Sequence, residues 1–188
     1  MDMSQPHFAP TPHASLRNTE ARAFEVVDAF TFVDGNNQRW TAPPGTLTDG
    51  ASIPQFFLSF TGDPMSPEFR AAAVVHDAFC GMDNKDGASY HQKPWEDVHH
   101  MFYEACLACG TPKLKALTLY AAVRLGGPRW TMDKETGKET SKDVSLRDIV
   151  PQERLVQEMR RCKDFIETEN PSVEEVDAWM QMQENSLR

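Results

Sequence analysis

One stretch limits the folds open to this chain more than any other. Residues Phe69-Arg70-Ala71-Ala72-Ala73-Val74-Val75-His76-Asp77-Ala78-Phe79-Cys80 are apolar almost throughout, yet a histidine and an aspartate stand side by side near the end. Small apolar residues at this density read as a helix sunk in a core. Ser66 suits its N-cap, Pro67 its first position and Gly81 its stop. A polar side chain buried without a partner costs about 1–3 kcal/mol, so folding alone would gain from a leucine at either polar place. Successive helical side chains diverge by about 100°. His76 and Asp77 therefore need two different sets of partners, and the fold must deliver both to one apolar helix.

The rest of the chain can supply a core around it. With 188 residues, 40% of them hydrophobic and 10% aromatic, it suits one domain of ordinary size. The formal net charge of −9 lacks the basic footprint that phosphate neutralisation needs, so no nucleic-acid partner is expected. The longest central apolar run, Ala71–Val75, is far short of the roughly 20 residues that span a bilayer. Residues 1–12 show no basic start followed by an apolar run, so no secretory signal is read there. Cys80, Cys106, Cys109 and Cys162 read as free structural thiols, with Cys106 and Cys109 on one helix face. The expected setting is cytoplasmic at synthesis, with signal-independent export or attachment to a virion as the routes out.

The fold class expected is α+β: a β-hairpin or small antiparallel sheet packed on about three helices, with a helical extension at the C-terminal side. Residues 1–20, rich in Pro, His, Ser and Thr, read as a flexible arm. Residues 21–130 form the expected core domain. Phe24–Phe32 alternates, Asp34-Gly35-Asn36-Asn37 is a turn cluster, and Arg39–Ala42 resumes an extended pattern, which makes a hairpin. Helices follow over 66–80, 94–109 and 113–125. Residues 131–188 form a charged extension in which 131–148 is a hairpin tip or a loop. Two amphipathic helices come after it, the second opened by a Ser172-x-x-Glu175 capping box. These helices are the surface expected to meet a protein partner.

Chemistry concentrates around His76–Asp77. The preceding turn, Thr48-Asp49-Gly50-Ala51-Ser52-Ile53-Pro54, is made of residues that bond their own backbone or tolerate positive φ. Asp97 lies in the first turn of the next helix, where a carboxylate also gains from the helix dipole. Antiparallel packing of the two helices brings Asp97 to His76, and an imidazole oriented by a carboxylate is a general base. Asp77 and Asp49 are then left as ligands for a divalent metal, calcium or zinc. The competing view makes the four residues a hydrogen-bond network, with Gly50, Ser52 and Pro54 shaping the loop. His91, His99 and His100 read as a solvated face rather than a metal site, since adjacent histidines diverge on a helix.

The order of these motifs resembles a known family. Thr-Asp-Gly-Ala-Ser-Ile-Pro at 48–54, Ala-Ala-Val-Val-His-Asp at 72–77 and Trp-x-Asp-x-x-x-x-Phe at 95–102 resemble the domain of unknown function 1353, found in phages, prophages and bacteria. The resemblance covers about 24–130 and implies that Asp49, Gly50, Ser52, Pro54, His76, Asp77 and Asp97 are signature positions. Gln55 stands where members often carry arginine. A looser likeness is to secreted calcium-dependent phospholipases, which place a His-Asp pair on a helix after a Gly-x-Pro loop, here Gly62-Asp63-Pro64. It implies that His76 activates water, Asp97 orients His76, and Asp77 with loop carbonyls holds calcium. The disulfides and glycine-rich calcium loop of those enzymes are not present in this sequence. The function expected is a metal-assisted hydrolase of a cell-envelope ester or amide, of lipid or cell-wall chemistry. The alternative is a non-enzymatic phage- or secretion-related interaction protein.

Overall fold

The structure, a computed structural model, describes residues 5–9, 16–18, 24–50, 53–133, 135–143 and 145–187. It is α+β, as the patterning predicts. The strands come first: β1 (His7–Ala9), β2 (Leu16–Asn18), β3 (Phe24–Val26), β4 (Phe30–Val33), β5 (Arg39–Ala42) and β6 (Leu47–Thr48). They make two antiparallel sheets of three strands, ordered β1-β4-β5 and β2-β3-β6. The predicted hairpin is β4–β5. Its turn is held by Asp34, whose Oδ1 accepts from the backbone N–H groups of Asn36 and Gln38 and whose Oδ2 accepts from Trp40 Nε1 at 2.8 Å. Asn37 supplies the left-handed residue, at φ 61°.

Residues 1–20 are not wholly an arm. His7–Ala9 pairs with β4 and Leu16–Asn18 pairs with β3. The edge of β4 offers unpaired backbone groups, and Phe8 packs on Phe32 with ring centroids 5.1 Å apart. A three-residue strand among prolines carries too short a period to be read beforehand.

The helices are α1 (Leu58–Thr61), α2 (Arg70–Cys80), α3 (Trp95–Ala108) and α4 (Lys113–Gly126). After a β7–β8 hairpin (Arg129–Met132 and Glu139–Asp143) come α5 (Leu146–Ile149), α6 (Gln152–Glu169) and α7 (Val173–Leu187). The hairpin decides between the two readings of 131–148. The Ser172 capping box forms: Ser172 N–H donates to Glu175 and the Glu175 N–H to Ser172 Oγ. Ser66 caps nothing, because α2 starts at Arg70. The fully buried Phe69 has φ −143° and bonds back to Ser66 in a turn, so the chain is still bending where helix was expected.

The helix α2 is the axle of the fold. Everything from Ala72 to Cys80 on it is buried, with β5 and β6 packed against it and α3 beside it. Next, α3 packs on α4, and α4 in turn carries α1, α5, α6 and α7. One hydrophobic cluster runs through these layers, and Leu146, Leu155, Met159, Ile166, Val176 and Met180 of the extension belong to it. Among the described residues no helix is long and apolar enough to cross a membrane.

Candidate functional site

His76 and Asp77 do find two partner sets: that of His76 is not Asp97, while Asp77 meets the polar turn, as the hydrogen-bond network has it. His76 has no exposed surface, and its Nε2 lies 2.9 Å from Nδ1 of His99 on α3. One proton sits between the two rings, so two imidazolium ions cannot make this contact. Burial pushes the pKa of His76 down to about 3. His99 is held well below the usual histidine range, first by burial and then by His76, Arg124 and Arg129 nearby. Both rings are therefore neutral at ordinary pH. The Nε2 of His99 is sealed without a well-formed hydrogen bond, beside the Pro128 backbone, which favours a proton there. Asp97 is exposed in the first turn of α3 and forms no part of this pair. Its carboxylate stays in water, where a charge needs no partner, while His99, two residues on, is turned inward.

Asp77 faces the other way. It is 2% exposed, and its Oδ2 accepts a 2.6 Å hydrogen bond from Thr48 Oγ1. The same hydroxyl oxygen accepts from the Gly50 N–H, so one side chain ties the polar turn to α2. Asn84 completes the tie by pairing with both backbone groups of Leu47 and donating to the Asp77 carbonyl. Gly50 has φ 112°, and a Cβ there would stand 2.8 Å from the Pro64 carbonyl oxygen. Only glycine meets both conditions. Ser52 lies outside the described residues.

Above this tie opens a pocket of about 380 Å³. Asp77 and Cys80 of α2 line it, with Asp49 from the turn, Asp83, Pro128, and Arg147 from α5. Pro54 forms part of the wall and rests on the end of α4: a Cβ on Gly126 would come within 2.8 Å of Pro54 Cδ and nearer still to Cγ. A Cβ on Gly127 would meet His99 Nε2 at 2.9 Å. The Gly126-Gly127-Pro128 break is thus a close-packing platform as well as a helix stop. We expect Gly126→Ala to lose about 1–3 kcal/mol by overpacking. Urea melts check this, and a variant as stable as the parent would refute the packing role.

Two further arrangements are decided by distance. Cys80 Sγ lies 3.5 Å from both ring nitrogens of His76 and 3.3 Å from the His76 carbonyl oxygen. A thiol equidistant from two nitrogens is not aligned on either lone pair, so this is not the geometry of a nucleophile and its base. None of the four cysteines is in a disulfide. For a metal, Asp49 and Asp77 do share the pocket, but among the described residues no three His, Cys, Asp or Glu side chains converge as ligands. That donor set is short of the three side chains a zinc site takes, and calcium there would draw on carbonyl oxygens besides the two carboxylates.

His99, Thr48 and Arg147 were missed by the sequence reading. His99 had a signal. Trp95, His99, Phe102 and Cys106 recur at helical spacing and form the buried face of α3, with the Trp95 and His99 ring centroids 5.5 Å apart. His91 is also buried, stacked between Tyr90 and Trp130 at 3.8 and 3.9 Å, with Nδ1 2.8 Å from Glu139. Its partners are the preceding residue and two side chains of the β7–β8 hairpin, and no local pattern announces the latter.

Comparison with known proteins gives a family and no activity. A model of the family described as "Protein of unknown function (DUF1353)" matches residues 24–123. The "Uncharacterized protein y4jT" of Sinorhizobium fredii is 38% identical over 133 residues, 70% of this chain and 37% of that protein. The "Uncharacterized protein y4iH" of the same organism is 40% identical over 101 residues, 54% of this chain and 39% of that protein. The chain thus spans well under half the length of either relative. No solved structure matches.

Proposed function

This chain belongs to the DUF1353 family, and on that premise we propose that it hydrolyses an ester or amide bound in the Asp77 pocket. The observation that carries this reading is a nearly buried carboxylate on the wall of a pocket large enough for a small molecule. Asp77 takes a proton from water, the water oxygen bonds to the acyl carbon, and the bond to the leaving alcohol or amine breaks as that group is protonated. The Thr48 hydroxyl orients the carboxylate by its 2.6 Å bond. His76 is no base here: with no exposed surface its ring does not reach a substrate. It is a positioning residue with His99, bracing the helix turn that presents Asp77. No step runs through a metal. Lipid or cell-wall material remains the substrate chemistry proposed.

Asp77→Asn keeps the shape and the acceptor for Thr48. It should lower hydrolysis of a panel of small esters and amides by roughly 10²–10⁴-fold, the usual worth of a general base, with little change in melting temperature. Asp97→Asn should leave the rate unaltered. Equal rates for Asp77→Asn and parent would sink the reading, and so would an effect confined to Asp97→Asn. A calcium or zinc series on the same substrates tests metal assistance directly. A second reading, the non-enzymatic interaction protein, is favoured by the bonds of Thr48 and Asn84, which fasten loop to helix. It predicts that Asp77→Asn changes stability alone.

A further inference from the structure

The charges lining the Asp77 pocket are opposite in sign and are not paired with one another. Among the described residues, the carboxylates of Asp49 and Asp83 and the guanidinium of Arg147 make no hydrogen bond or ion pair, yet all three line the same space of about 380 Å³. All three side chains are exposed and solvated in the free protein, unlike Asp77, which is bonded to Thr48, and the buried arginines near α7, which are bonded to carboxylates. A ligand seated among them displaces part of the water around each charge, and a neutral one offers no contact in return. An anion alone would meet Arg147 but face the carboxylates, and a cation alone would do the reverse. Only a ligand carrying both signs leaves none of the three bare.

We infer that the pocket takes a small zwitterion, its ammonium towards Asp49 and Asp83 and its carboxylate or phosphate at Arg147. The inference rests on reading this pocket as the working site, and it names the substrate class that site selects. Two sources share this chemistry: a short peptide with free ends, and the head group of an aminophospholipid. Arg147 belongs to α5, beyond the 24–123 span of the family match, so this selection is added by the C-terminal part of the chain.

The test is calorimetric binding to the intact protein and to Asp77→Asn, which leaves the bound molecule uncut. The probes are glycylglycine and glycerophosphoethanolamine, each against analogues lacking one charge: N-acetylglycylglycine, glycylglycinamide and N-acetylated glycerophosphoethanolamine. One zwitterion should bind at least about tenfold tighter than its analogues, since each lost charge-assisted contact is worth about that much or more. Which probe does so identifies the source. Arg147→Gln should erase the preference over glycylglycinamide, and Asp49→Asn with Asp83→Asn the preference over the acetylated forms. Equal affinity for zwitterion and analogue, or no binding by either probe, overturns the inference. Hydrolysis of neutral esters without charge preference removes it while leaving the hydrolase standing. Selective zwitterion binding without hydrolysis supports it and removes the hydrolase.

Discussion

Acidification from pH 7 to pH 5 is expected to cost the protein about 2 kcal/mol through His76 alone, with His99 adding in the same direction. The free energy follows from a ring that titrates near 6.5 in the unfolded chain and near 3 in the fold. Below pH 6.5 the unfolded chain takes up protons that the native state refuses, so the unfolded state gains. The contribution is complete above about pH 6.5 and drains away as pH falls towards 3. For a chain of this size each kcal/mol is worth roughly 2–4 °C in melting temperature. Thermal melts at pH 7.5, 6 and 5 should therefore fall by several degrees before most carboxylates begin to protonate. Ring-nitrogen chemical shifts give an independent readout: both imidazoles of the buried pair should stay neutral at pH 5. A flat melting profile, or an imidazolium signal from His76 at pH 6, would contradict the buried pair.

This pair also marks where sequence reasoning stopped. The element types and most helix ends were legible because their causes are local: hydrophobic period, Pro94 and Pro112 before helices, Gly81 and Gly110 after them. That His76 and Asp77 need separate partners was legible too, since it follows from helix geometry alone. The identity of those partners was not. Asp97 was the natural choice for His76 by charge, but its place on α3 faces water, and the buried polar position beside it belongs to His99. Likewise the Thr48 hydroxyl, 29 residues away from Asp77 in sequence, meets it only once β6 is laid on α2. Arg147 is separated from Asp77 by α3, α4 and the β7–β8 hairpin. Local pattern reports which side chains are buried and how they are spaced; it does not report what crosses from another element.

The extension beyond the family match depends on one such crossing, and there the largest single loss is expected. Glu184 of α7 accepts from Arg124 Nη1 at 3.1 Å and from Arg129 Nη1 and Nη2 at 3.0 and 2.5 Å. Both guanidinium carbons stand 4.4 Å from the ring centroid of Trp95 on α3, so two cations share one indole and one carboxylate holds them together. Tyr120 and Arg124 also bond Asp177, which is 37% exposed at its side chain against 13% for Glu184. Glu184→Gln would leave two like charges in a site where Arg129 is 2% exposed at its side chain. Removing one partner of a buried pair costs about 3–5 kcal/mol, whereas an exposed pair is worth about 1 or less. Asp177→Asn should therefore do markedly less damage than Glu184→Gln. Urea melts give the sizes, and hydrogen exchange locates the loss, with residues 173–187 losing protection first. A Glu184→Gln protein within about 1 kcal/mol of the parent would mean that apolar packing on α4, and not this carboxylate, keeps α7 in place. The same experiment bears on the pocket: α5 and α7 dock on the same helix, so if α7 loosens α5 with it, Arg147 should lose its grip on a bound zwitterion while Asp77, fixed on α2, keeps its bond to Thr48.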